Sequence, residues 1–137
     1  MSNFKPVDSD GFQTGAETVV YACSGCSDAG ELADRIARRL ALDGKARMSC
    51  LAGIGGRVKP LMAAARNARR ILVIDGCPSN CARHTLLNAG IAGFDHLALH
   101  DIGLLKGKCP ATESNIEAGT RAVDAILAQA RGSGGSQ

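Results

Sequence analysis

Short aliphatic runs alternate with helix-like segments along this chain, and the alternation restricts the possible folds more than any other feature. The clearest run is RILVID at residues 70–75, whose continuous apolar centre predicts a strand buried on both faces of a sheet. Related patterns predict strands at residues 18–23, 46–51 and 96–101. Each predicted strand is followed by a segment with helical periodicity.

The helical segments carry recognisable start and stop signals. Ser27 or Asp28 can cap the first helix and Gly44 ends it, while Pro60 marks the start of the second. The third is predicted from about Ser79 to Asn88, and the last covers residues 113–131. We interpret the glycine-rich stretch AGIGG, residues 52–56, as a loop.

Strands and helices in strict alternation predict right-handed crossovers and a parallel sheet with helices on both faces. The expected fold class is therefore α/β, a three-layer α/β/α arrangement that is Rossmann-like. With four parallel strands the expected order is 2-1-3-4. This order places a topological switch point between the first and third strands, where α/β proteins bind ligands.

The chain has 137 residues, the length of one ordinary domain. By composition we expect a flexible N-terminal segment at residues 1–16, a single domain at 17–131 and a flexible tail at 132–137. The net charge is only +3 and aromatic residues make up 3%, which argues against nucleic-acid binding. No apolar run approaches the roughly 20 residues that span a membrane, and the N-terminus lacks an apolar signal core. We expect a cytoplasmic protein without membrane association, whose protein partners the sequence does not specify.

Six cysteines are the chemically distinctive residues. In a reducing compartment such a set indicates metal binding or catalysis more often than a disulfide framework. Cys23 and Cys50 close the first two predicted strands, and Cys77 and Cys109 follow the third and fourth. Cys26 and Cys81 lie where the following helices begin. Because the carboxyl ends of parallel strands share one edge, we expect all six thiols along that edge.

The spacing within this set favours a metal site. Two cysteines three or four residues apart can direct two thiolates at one ion, and a second pair from a facing loop completes a tetrahedron. Cys23 and Cys26 form one such pair, and Cys77 and Cys81 form the other. We interpret Cys50 and Cys109 as additional ligands, redox thiols or core residues.

Other residues near the predicted edge complete the interpretation. Four thiolates around a divalent ion leave a net negative charge, which Arg83 and His84 could offset as hydrogen-bond donors to the sulfurs. Asp75 closes the third strand, where it could support the ligands or cap a helix, and Gly76 turns the chain. His96 and His100 are predicted to share one face of the fourth strand as core or edge histidines.

Three segments together resemble the DGC-domain family, small prokaryotic proteins described as zinc-binding. They are YACSGCSDAGELADRIARRL from residue 21, CLAGIGG at residues 50–56 and DGCPSNCARHTL at residues 75–86. The resemblance covers roughly residues 18–130. It implies zinc as the cofactor, with Cys23, Cys26, Cys77 and Cys81 as its ligands, and leaves the biological role open.

Alternative chemistries remain. Cys23 and Cys26 could form a thiol–disulfide redox pair, and four cysteines could also hold an iron–sulfur cluster. The spacing from Cys77 to Arg83 matches a Cys-x5-Arg phosphatase loop, but Pro78 removes an N–H donor and the loop lacks glycine, so we favour this less. The enzyme question stays open. A closed four-thiolate site favours a structural, metal-handling or sensing role over catalysis.

Overall fold

The computed structural model describes residues 18–129. The segments predicted to be flexible, residues 1–16 and 132–137, both lie outside this range. Its strands are β1 (Thr18–Ala22), β2 (Arg47–Met48), β3 (Arg70–Asp75) and β4 (Asp95–Ala98). Its helices are α1 (Asp28–Leu42), α2 (Leu51–Gly55), α3 (Lys59–Asn67), α4 (Cys81–Asn88) and α5 (Glu113–Leu127), and a 3-10 helix covers Leu99–Ile102. None of the helices in this described part is long and apolar enough to cross a membrane.

The four strands form one parallel sheet in the order β2-β1-β3-β4, which confirms the predicted order. β1 and β3 lie at its centre and pair from Thr18 opposite Arg70 to Ala22 opposite Ile74. Their side chains are almost all buried, as continuous apolar strands in a parallel sheet require. The two central strands therefore end side by side at the carboxyl edge.

Helices cover both faces of the sheet, which confirms the three layers. One core lies between the sheet and the helices α1 and α5, and includes Leu32, Ile36, Leu40, Ile116 and Val123. The other lies beneath α2, α3 and α4, and includes Tyr21, Ile54, Met62, Leu86 and Phe94. Alternate residues of β1 contribute to opposite cores, because successive side chains of a strand point to opposite faces.

Some details differ from the sequence predictions. The second strand is shorter than predicted, so Cys50 does not close it and lies at the start of α2. The AGIGG segment is not a loop, because residues 51–55 form the short helix α2. A Cβ atom at Gly53 would overlap the Leu61 side chain, so glycine is needed there to let α2 and α3 pack closely. The shared face predicted for the two histidines is also wrong: β4 ends at Ala98, and His100 lies in the 3-10 helix.

Candidate functional site

The loops that follow β1 and β3 meet at the carboxyl edge of the sheet. The backbone N–H of Cys23 donates to the carbonyl of Ile74 over 3.0 Å, which extends the β1–β3 ladder by one residue. The sulfur of Cys23 accepts hydrogen bonds from the N–H groups of Gly25, in its own loop, and Gly76, in the other. Cys23 therefore lies at the junction of the CSGC and DGCPSNC segments.

Gly76 is needed at this junction because of space. A Cβ atom at this position would come within 2.5 Å of the carbonyl oxygen of Ala29. Gly76 lies at a bend, yet it is absent from the residues with left-handed φ angles in the described chain. The missing side chain lets the first turn of α1 rest directly against the end of β3, and this contact holds the two cysteine loops together.

Asp75 connects β3 to the start of α4. Its side chain is 1% exposed, and its two oxygens accept the N–H groups of Ala82 at 2.8 Å and Arg83 at 3.0 Å. Asn80, at the N-cap position, has a left-handed backbone and makes no side-chain cap. The carboxylate of Asp75 therefore takes over the capping function, one of the two roles the sequence allowed.

The half-buried thiols Cys23 and Cys77 have opposite protonation tendencies. Burial raises the pKa of Cys23, although the N–H groups of Gly25 and Gly76 oppose this effect. The pKa of Cys77 is lowered by the backbone N–H and the hydroxyl of Ser79 and by the nearby Lys106 ammonium. Negative charge on Cys77 also raises the pKa of Cys23.

The other cysteines differ in exposure. Cys26, Cys50 and Cys81 are exposed, whereas Cys109 is completely buried in the core between the sheet and α1. Cys50 lies at the N-cap position of α2 and borders a groove of about 900 Å³ that also reaches Cys23. The groove has largely apolar walls from α1, β2 and α2, including Ala41, Leu42, Met48 and Leu51.

Zinc favours the thiolate donors that this edge supplies, so the chemistry of the residues fits the metal. In the structure these donors do not converge: between residues 18 and 129, no three Cys, His, Asp or Glu side chains are placed to hold one ion. Of the residues expected to surround the ligands, Arg83 contacts Asp75 through its backbone N–H, and His84 is exposed.

Sequence reasoning did not predict the contacts that Asp28, Lys106 and His96 make at this edge. The Asp28 carboxylate accepts the N–H groups of Gly107 at 2.8 Å and Cys109 at 3.1 Å, which fixes the loop that carries Lys106 beside Cys77. His96 contacts Asp75. The only sequence signal for these residues is their position near strand or helix ends, which does not reveal the contacts.

A parallel three-layer α/β domain with cysteine loops at the ends of its two central strands defines the structural class. The chain belongs to the DGC domain family, whose sequence pattern matches residues 19–124. It is also 46% identical over 88 residues to the anaerobic and virulence modulator AnvM of Pseudomonas aeruginosa, an alignment that covers 64% of this chain and 67% of AnvM. No solved structure matches the chain.

Proposed function

We propose that this DGC-domain protein binds one zinc ion through the thiolates of Cys23, Cys26, Cys77 and Cys81, in a structural, metal-handling or sensing role. The observation that carries the proposal is the pairing of β1 with β3, which the hydrogen bond from the Cys23 N–H to the Ile74 carbonyl over 3.0 Å extends to the first cysteine. It brings two cysteine pairs that are distant in sequence to one edge of the sheet.

The surroundings of the ligands support the same role. Zinc would supply strong bonds to thiolates and, with four of them, no open position for a substrate. The N–H groups of Gly25 and Gly76 stabilise negative charge on the Cys23 sulfur, and the Ser79 N–H does so for Cys77. The chain thus partly compensates the excess negative charge of a four-thiolate site.

Binding requires Cys26 and Cys81 to turn towards the other pair, because no three donors converge within residues 18–129. Both cysteines are exposed, so no core packing opposes this rotation. A site completed by two exposed ligands suits a protein that takes up and releases its metal. Cys50, which is exposed and borders the same groove as Cys23, could exchange with one of them.

Metal analysis of the reduced protein tests the proposal. We expect one zinc per chain, and a loss of roughly 100-fold in affinity for Ser at any of the four cysteines, since binding worth about 10–16 kcal/mol is shared among four ligands. The measurement is competition with a chromophoric chelator, and absence of visible absorption separates zinc from an iron–sulfur cluster. Cys50→Ser and Cys109→Ala are the controls and should retain stoichiometric zinc. Unchanged affinity in Cys23→Ser and Cys77→Ser would refute the assignment.

A second candidate function, thiol–disulfide redox chemistry, is favoured by the location of Cys23 and Cys77 in loops that follow the paired strands β1 and β3. The lowered pKa of Cys77 is typical of the attacking thiol of a dithiol oxidoreductase. One relative, AnvM, is named an anaerobic and virulence modulator. The sequence suggested Cys23 and Cys26 as the pair, whereas we propose Cys23 with Cys77 because of the lowered pKa of Cys77 and the adjoining strand ends.

Disulfide mapping distinguishes the two pairs. With oxidised glutathione and metal-free protein, the Cys77 thiolate would attack the disulfide and release one glutathione thiolate. The Cys23 thiol, losing its proton, would then displace the second. We expect mass spectrometry to find a Cys23–Cys77 disulfide that persists in Cys26→Ser and is lost in Cys77→Ser. A disulfide confined to Cys23 and Cys26 would contradict this pairing.

A further inference from the structure

A histidine on β4 contacts the carboxylate that caps the helix of the second cysteine pair. Nε2 of His96 lies 2.9 Å from Oδ2 of Asp75, and the two side chains are 14% and 1% exposed. A carboxylate only accepts hydrogen bonds, so Nε2 carries the hydrogen and donates it. We propose that His96, acting through Asp75, is a positioning residue for Cys81, and this role rests on the zinc site proposed above.

The argument begins with the start of α4. Cys81 is the first residue of this helix, and the next two N–H groups, of Ala82 and Arg83, donate to Asp75. Because Asn80 supplies no side-chain cap, Asp75 is the side chain that fixes this end of the helix. The plane of the Asp75 carboxylate therefore sets the orientation of the turn that carries Cys81.

His96 fixes that plane from the neighbouring strand. β4 pairs with β3 so that Ala98 lies opposite Asp75, and the His96 side chain reaches the same carboxylate. Oδ2 thus receives two donors, one from α4 and one from β4. Without His96 the carboxylate keeps its bonds to the helix but loses the hydrogen bond that ties its side chain to β4, and can rotate with the helix end.

Two substitutions of similar size separate the hydrogen bond from simple packing. His96→Gln keeps an N–H donor at the reach of Nε2, and His96→Met fills similar space without a donor. In metal-free protein, peptide-resolved alkylation compares Cys81 with Cys26, an exposed cysteine on the other loop that serves as internal reference. We expect the Cys81/Cys26 rate ratio to change several-fold in His96→Met and to return to the wild-type value in His96→Gln.

An unchanged ratio in His96→Met, or an equally altered ratio in His96→Gln, would overturn the proposal. If His96→Met does not fold, His96→Asn replaces it, because its shorter amide does not reach Asp75. These measurements need no metal, so they decide the positioning role independently of zinc binding.

The metal-loaded protein provides a second readout. We expect zinc affinity to fall by about 10-fold in His96→Met, the lower end of the range for residues that orient ligands, and to be restored in His96→Gln. With cobalt in place of zinc, the sulfur-to-metal charge-transfer band of His96→Met should move towards that of Cys81→Ser. Wild-type affinity and an unaltered band in His96→Met would refute the role at the metal site. If the wild-type protein binds neither ion, the zinc proposal fails. The alkylation ratio still decides whether His96 positions Cys81.

Discussion

Gly76→Ala is expected to lower the free energy of unfolding by about 3 kcal/mol, the upper end of the usual cost of overpacking. The added Cβ would lie 2.5 Å from the Ala29 carbonyl oxygen and 2.6 Å from its carbon, so backbone must move. The movement separates α1 from the end of β3. Urea denaturation measures the loss, and zinc affinity should fall in the same variant because the two cysteine loops move apart.

Gly25→Ala is the matched control for this change. Gly25 lies in the other cysteine loop, a Cβ there meets no atom within 4 Å, and its φ angle is not left-handed. Its N–H, which donates to Cys23, is retained in alanine. We expect stability and zinc affinity close to wild type. If both alanine variants behave alike, close packing against Ala29 is not the reason for glycine in the Asp-Gly-Cys segment.

Arg70→Met is expected to cost about 3–5 kcal/mol, because it leaves a buried carboxylate without its partner. Nε of Arg70 donates to Asp95 over 2.7 Å, and the two side chains are 12% and 3% exposed. The remaining guanidinium nitrogens donate to the carbonyls of Ile126 and Leu127, at the end of α5. One side chain thus joins β3, β4 and the last helix, and thermal or urea unfolding should show its loss.

A surface ion pair that also involves α5 provides the control for Arg70→Met. Lys45 contacts Asp124 of α5 at 3.0 Å, but these side chains are 41% and 51% exposed. Lys45→Met should cost less than about 1 kcal/mol. Replacing Asp95 with Leu in the Arg70→Met background should recover part of the loss, since the buried charge is removed. A double variant less stable than Arg70→Met would show that the isolated charge is not the main cost.

The sheet order could be predicted because alternating strands and helices leave few parallel arrangements. The failure at AGIGG has a physical cause. Glycine costs about 1 kcal/mol in a helix relative to alanine, so a run with three glycines predicts a loop. In the structure, close packing of Gly53 against Leu61 outweighs that preference, and a contact between two helices is not visible in local sequence.

The location of the candidate site could also be predicted in part. Strand ends located the cysteine pairs, because the pairing of β1 with β3 follows from topology. The exposure of each cysteine could not be predicted from its position after a strand. Cys109 also follows a strand, yet it is completely buried in the core that includes residues of α1 and α5. Lys106 and His96 act on the site from later parts of the chain, and their link to Cys77 and Asp75 exists only in the tertiary structure.

The junction of the two cysteine loops has a consequence during synthesis. The segment with Cys23 and Cys26 is translated well before the one with Cys77 and Cys81, because β2 and three helices lie between β1 and β3. At about 5–20 residues per second, the first pair waits for seconds without its partner. A nascent chain therefore presents Cys23 and Cys26 to oxidants and chelators before Cys77 and Cys81 are made, and the two cysteine loops meet when β3 joins the sheet.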